Sequence, residues 1–238
     1  LRETTQPKAR IGLAELPGVL KGVYNGIPEM VRRFPTTLRA LAGVVILGFV
    51  ANAIAGPFWV VYAAERIGLT RSQWGLALLI ETGLRNVMNI PAGLIADRFG
   101  RTRCMLGSLL LSLLTLPLFI FARGFLDVAL IRAAAAVSTA FFVPACVALM
   151  ADIVPREMRG RVMAAIGRGS VMIAAASGGT GGPGLGYVVT IPLMIASFSA
   201  GYLYALNPIL PWLIALGATV ASIVLTVAYL RDPEEAAV

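Results

Sequence analysis

The sequence predicts an all-α membrane protein of six transmembrane helices. Three observations carry the prediction. The chain is 58% hydrophobic and only 13% charged, against about 45–50% apolar and about 25% charged in soluble domains. Its apolar residues come in repeated runs matching the ~20 residues that cross a ~30 Å hydrocarbon core. Its arginines collect in alternate gaps between those runs, the pattern of cytoplasmic loops. The ~10-residue alternating segments of a membrane barrel are not seen.

Residues 1–38 are basic and too polar to span, and 27–35 reads as a short amphipathic piece at the membrane surface. The spans follow at 39–63, 74–96, 104–122, 125–151, 186–206 and 209–230, so the bundle occupies 39–232 and 233–238 is a tail. Pro57, Pro91, Pro117, Pro144 and Pro192 fall inside five of these spans. Membrane helices tolerate proline because neighbouring groups satisfy the freed carbonyl. The resulting kinks either shape packing or serve a protein that rocks between two states. Trp59, Trp74 and Trp212 lie near the outer boundary and read as interfacial anchors. Cys104 and Cys146 lie in apolar segments without paired spacing, so they read as small hydrophobes. The chain contains no histidine, which removes imidazole metal sites and histidine proton relays; no metal or cofactor is expected.

The net charge of +8 could signal nucleic acid, but the basic residues sit in loops. Arg2, Lys8, Arg10, Lys21, Arg32, Arg33 and Arg39 precede the first span. Arg98, Arg101 and Arg103 follow the second, Arg156, Arg159, Arg161 and Arg168 follow the fourth, and Arg231 follows the sixth. The alternate loops hold only Arg66, Arg71 and Arg123. Both termini are therefore expected on the cytoplasmic side, with the lipid bilayer and no nucleic acid as partner.

The gap after the second span reads G-x-x-x-D-R-x-G-R-x-R, from Gly93 through Asp97, Arg98, Gly100 and Arg101 to Arg103. This pattern resembles the signature loop of the major facilitator superfamily of secondary transporters. A second run, from Asp152 through Pro155 and Arg159 to Arg161, resembles the loop after the fourth helix of a half in that family. The resemblance implies one six-helix half of a major facilitator fold, pairing with the other half of the same polypeptide. A basic leader before six helices looks like the linker between halves, which suggests the C-terminal half; the N-terminal half also fits, since the signature loop occurs in both. The chain begins at Leu1 rather than Met and lacks a signal-peptide core, consistent with part of a longer polypeptide.

Asp97 can meet the N-terminus of a neighbouring helix, Arg101 can bond the same cluster, and Gly100 permits the turn. With Gly93, Arg98, Arg103, Asp152 and Arg159 they form an expected cytoplasmic latch; the alternative is that the loop only fixes topology by its charge. Between Arg161 and the fifth span, 177–186 holds so many glycines that no stable helix is expected, each costing ~1 kcal/mol relative to Ala. A surface helix is expected at about 157–176 before it. Gly178, Gly182, Pro183 and Gly186 are read as a hinge or plain loop. They also echo the G-x-x-x-G-P-x-x-G motif of the family's antiporters, which belongs inside a fifth helix. Phosphate binding is a poor fit without G-K-[ST] or a preceding strand.

Glu81, Arg85 and Arg132 are ionisable residues inside spans, and such groups are functional candidates by default. Glu81 and Arg85 share a helix face at i, i+4, which Asn89 continues. Arg132 lies at a depth similar to Glu81 and resembles an intramembrane arginine of the family's fourth helix, although Ala135 and Ala136 replace the usual glutamine and glycine. Asn52 is a further cavity-lining group. One reading gives Glu81 a proton-coupling role and the arginines a role in substrate charge; the other is internal neutralisation.

The resemblance implies a non-enzymatic function, secondary active transport of a small solute by alternating access, and without a nucleotide-binding motif an ion gradient is the expected drive. Proton-coupled efflux of an organic compound is the first reading and metabolite or sugar uptake the alternative. A non-transporting receptor or assembly module derived from a transporter half is the alternative of another class. The expected location is the plasma membrane.

Overall fold

The structure, a computed structural model, describes residues 35–154 and 187–232. The leader piece at 27–34, the surface helix expected at 157–176, Arg159 and the glycine run with Gly178, Gly182, Pro183 and Gly186 lie outside the described residues, as does the tail from 233.

The described residues are helical with short connections, and no strand occurs among them. The first predicted span is α1 (Thr36–Ala55) and α2 (Phe58–Tyr62), followed by a π-helical turn (Ala63–Ile67). Pro57 is the reason for the division: it cannot donate to the preceding turn, and the helix breaks at Gly56–Pro57. Next come α3 (Arg71–Phe99), α4 (Arg101–Ile120), α5 (Phe125–Ile153), α6 (Tyr187–Leu206) and α7 (Leu210–Tyr229). Pro91, Pro117, Pro144 and Pro192 remain within their helices.

Among the described residues four helices, α1, α4, α5 and α7, are long and apolar enough to cross a membrane. At 29 residues α3 is long enough, but Glu81, Arg85, Asn86 and Asn89 interrupt its apolar surface. The apolar stretch recognised within α6 is Pro192–Leu206.

A helix cap explains one boundary shift from the sequence reading, the start of α3. Thr70 and Gln73 form a capping box: the Gln73 amide donates to Thr70 Oγ1 at 3.3 Å and the Thr70 amide to Gln73 Oε1 at 2.9 Å. Thus α3 starts before Trp74. The Arg123 amide donates to Asp127 Oδ2 at 2.8 Å where α5 begins.

Packing sets α3 and α4 along α5, and α1 along α7. Polar groups tie α4 to α5: the Ser112 and Ser138 hydroxyls lie 2.7 Å apart, and Ser138 Oγ donates to the Ser108 carbonyl at 2.6 Å. Where lipid offers no hydrophobic drive between helices, small residues and such bonds hold them together. Cys146 is buried, while Cys104 is half-buried.

The anchor reading of two tryptophans is corrected. Trp59 and Trp212 are buried at 3% and 1% exposure. They pack with Tyr62 and Phe119 in one aromatic cluster, with Trp59–Phe119 centroids 4.3 Å apart and Tyr62–Trp212 centroids 4.8 Å apart. The break at Pro57 separates the short α2 from α1 and lets it carry Trp59 and Tyr62 against α4 and α7. Trp74 is half-buried and faces a charge described below.

Candidate functional site

Two polar clusters stand out in the apolar bundle. The first lies inside it, between α3 and α5. Glu81 and Arg85 project from one face of α3, with Arg85 Nη1 and Glu81 Oε1 3.8 Å apart. Arg132, on α5, forms an ion pair through Nη2 with Glu81 Oε2. Both side chains of that pair are out of water, at 1% and 2% exposure. Burying two charges is costly, so a sequence keeps such a pair only within a well-packed frame.

The frame is aromatic. The Arg132 guanidinium lies 5.1 Å from the Trp59 ring centroid and 5.3 Å from that of Trp74, a cation–π arrangement with both rings. A cavity of about 230 Å³ opens beside it, walled by Pro57, Trp59, Val60, Trp74, Leu78 and Arg132. Asn52 is buried, with its Oδ1 lacking a hydrogen-bond partner among the described residues. Asn89 is exposed and faces a separate, open groove of about 450 Å³ with Val143 and Pro144. The site residues expected together therefore divide: Glu81, Arg85 and Arg132 meet, whereas Asn89 belongs to another surface.

The second cluster joins the α3–α4 turn to the end of α5. Arg101 forms an ion pair with Asp152 and donates from Nη1 to the Ala148 carbonyl at 3.0 Å. Its Nη2 lies 3.5 Å from Asp97 Oδ1. Arg101 thus bridges the two motifs through their acids. Asp97 is largely exposed. The acid that meets a helix N-terminus is instead Asp232: its Oδ1 accepts from the Thr102 backbone amide and hydroxyl, both at 2.9 Å, in the first turn of α4.

Gly100 makes that approach possible. Its φ is +100°, and a Cβ there would stand 2.6 Å from Asp232 Oδ2. Gly93 is different: a Cβ on it would meet nothing within 4 Å, so no close packing demands glycine. Arg98 and Arg103 are exposed and make no ion pair among the described residues. Of the eight expected latch residues, the geometry brings together Asp97, Gly100, Arg101 and Asp152.

Sequence reasoning missed Asp232 and Thr102, and missed Trp59 and Trp74 as partners of Arg132. A carboxylate directly after the last apolar run, in Arg231-Asp232, was the available signal for the first. The second had none, because a tryptophan near a span boundary reads as an anchor until the Pro57 break is known.

A family model described as Major Facilitator Superfamily matches residues 41–238. Among curated proteins, the chain is similar to one described as the uncharacterized MFS-type transporter YhjO of Bacillus subtilis (strain 168), at 27% identity over 215 residues. That alignment covers 90% of this chain and 46% of the relative, so the chain spans less than half the relative's length.

Proposed function

Because the chain belongs to the Major Facilitator Superfamily, we propose that it serves as one six-helix half of a secondary transporter that moves a small solute by alternating access. Transporters of this kind, of which this family is itself a standard example, bind solute near the bilayer midplane at the interface of two repeats and rock one against the other. The other half of the polypeptide and the bilayer are its partners. Apolar side chains exposed along α3 and α6, among them Val87, Ile90, Leu94, Met194 and Phe198, provide surface for both.

The observation that carries the reading is the buried Glu81–Arg132 pair with Arg85 beside it. Intramembrane charges of this kind mark ion and substrate pathways. While the arginines face Glu81, its carboxylate is compensated. When a conformational step separates them, a carboxyl left in a low-dielectric interior is cheaper protonated. Glu81 would then carry the coupling proton, and the arginines would meet substrate charge. Asn52, buried on α1, is proposed as a further polar group of the solute path. At the other cluster, Arg101 holds Asp97 and Asp152 together in one state and releases them in the other. Arg159 and the Gly178–Gly186 hinge belong to the same proposal. Efflux of an organic compound from a cell with both termini cytoplasmic is the direction proposed.

The test compares substrate exchange with net, gradient-driven transport in vesicles carrying the full-length protein. Glu81→Gln is expected to retain exchange and lose gradient-driven accumulation. Retained gradient-driven accumulation ends the coupling role.

A further inference from the structure

We propose that the cavity beside Arg132 binds a small organic carboxylate with a flat apolar body. The inference rests on reading the buried cluster as a solute site, and names the class of solute.

Arg132 supplies the polar contact. One of its amino groups, Nη2, is engaged by Glu81. Nε and Nη1 are buried and have no hydrogen-bond partner among the described residues. Buried donors are almost always satisfied, so these two call for an acceptor. The guanidinium cannot turn away to find one, because indoles stand 5.1 Å and 5.3 Å from its centre. It lines the cavity in that fixed attitude, and a planar fork of donors matches a carboxylate.

Charge selects the sign. The cluster sets one carboxylate, Glu81, against two guanidiniums, Arg85 and Arg132. A monoanion compensates the remaining positive charge, whereas a cation adds repulsion. A phosphate ester brings more charge and oxygens than one remaining positive charge compensates, and the walls at Pro57, Val60 and Leu78 are apolar. Those walls suit a compact, flat apolar body. At about 230 Å³ the cavity falls below the ~300–1,000 Å³ usual for drug-sized ligands, so the ligand is compact.

The experiment is isothermal titration of the full-length protein, in neutral detergent and without any gradient, with benzoate, benzamide and benzamidinium. Saturable benzoate binding is expected, with the neutral and cationic probes at least tenfold weaker. Leu78→Trp fills the cavity without touching a charge and should weaken benzoate at least tenfold. The double variant Glu81→Gln/Arg132→Gln removes both charges of the buried pair, leaving only the part-exposed Arg85, and should do the same. No saturable benzoate binding, equal binding of benzamide or benzamidinium, or benzoate binding unchanged in either variant overturns the proposal. Competitive displacement of benzoate by phosphatidylglycerol assigns the site to an acidic lipid headgroup and overturns it as well. Benzoate binding by a protein that moves no solute leaves this inference standing and sinks the transport reading. Gradient-driven transport without benzoate selectivity does the reverse.

Discussion

Arg132 on α5 and Glu81 on α3 are paired where neither reaches water, and the guanidinium also lies over the Trp59 and Trp74 rings. The pair is thus a packing element between α3 and α5 and, at the same time, a buried concentration of charge. The two roles respond differently to substitution.

Removing one partner strands the other. Arg132→Gln alone leaves Glu81 with only the more distant Arg85, and Glu81→Gln leaves Arg132 buried without its counter-charge; breaking a buried pair costs about 3–5 kcal/mol. The double variant removes both charges and should recover most of that loss. The measurement is thermal unfolding in detergent as a double-mutant cycle. Additive single losses would mean that the pair contributes no coupling.

The two motif glycines should behave oppositely. Gly93 lies within α3 with open space at its Cβ position, so Gly93→Ala should be neutral or gain about 0.5–1 kcal/mol from helix propensity. Gly100→Ala meets both a positive φ and the Asp232 carboxylate. It should cost about 1–3 kcal/mol, the range for a backbone held in a sparsely populated region. Equal melting temperatures for the two variants would remove the structural reason for glycine at Gly100.

Asp232 closes the same turn from the far end of the chain. Its carboxylate satisfies the Thr102 amide, one of the donors that a helix N-terminus leaves free. Asp232→Ala should lose about 0.5–2 kcal/mol, as for other N-terminal caps, and should expose the Thr102 amide to faster hydrogen exchange. Exchange at Thr102 unchanged in that variant would show the cap to be dispensable.

Much of this architecture is legible in the sequence because membrane length and charge are coarse signals. The apolar runs located the described helices to within a few residues, and the glycine–arginine spacing located the α3–α4 turn. The lapses have physical causes. The apolar run places the start of α3 late because polar Thr70 and Gln73 look like a loop, yet they cap the helix. The first span looks continuous in the sequence because a proline within an apolar run suggests a kink, yet at Gly56–Pro57 it is a break. Glu81 and Arg85 share a face by simple helical spacing; their meeting with Arg132 needs α3 and α5 to pack, which spacing does not give. The contact of Asp232 with Thr102, 130 residues apart in the chain, was beyond any local pattern.

Charge also makes a claim about sidedness that labelling can check. The α3–α4 turn carries Arg98, Arg101 and Arg103, whereas the α6–α7 connection around Asn207 carries no basic residue. Arginine-rich short loops stay on the cytoplasmic side. Consecutive membrane crossings alternate, so these two turns should open on opposite faces. Arg103 and Asn207 are both exposed, so neither label is blocked by packing. In the full-length protein with Cys104→Ser and Cys146→Ala, and with any further cysteines replaced, Arg103→Cys and Asn207→Cys are introduced separately. A membrane-impermeant maleimide added to intact cells should label Asn207→Cys and reach Arg103→Cys only after permeabilisation. Labelling of Arg103→Cys in intact cells would reverse the orientation, and with it the sidedness assigned to the Arg101–Asp152 latch.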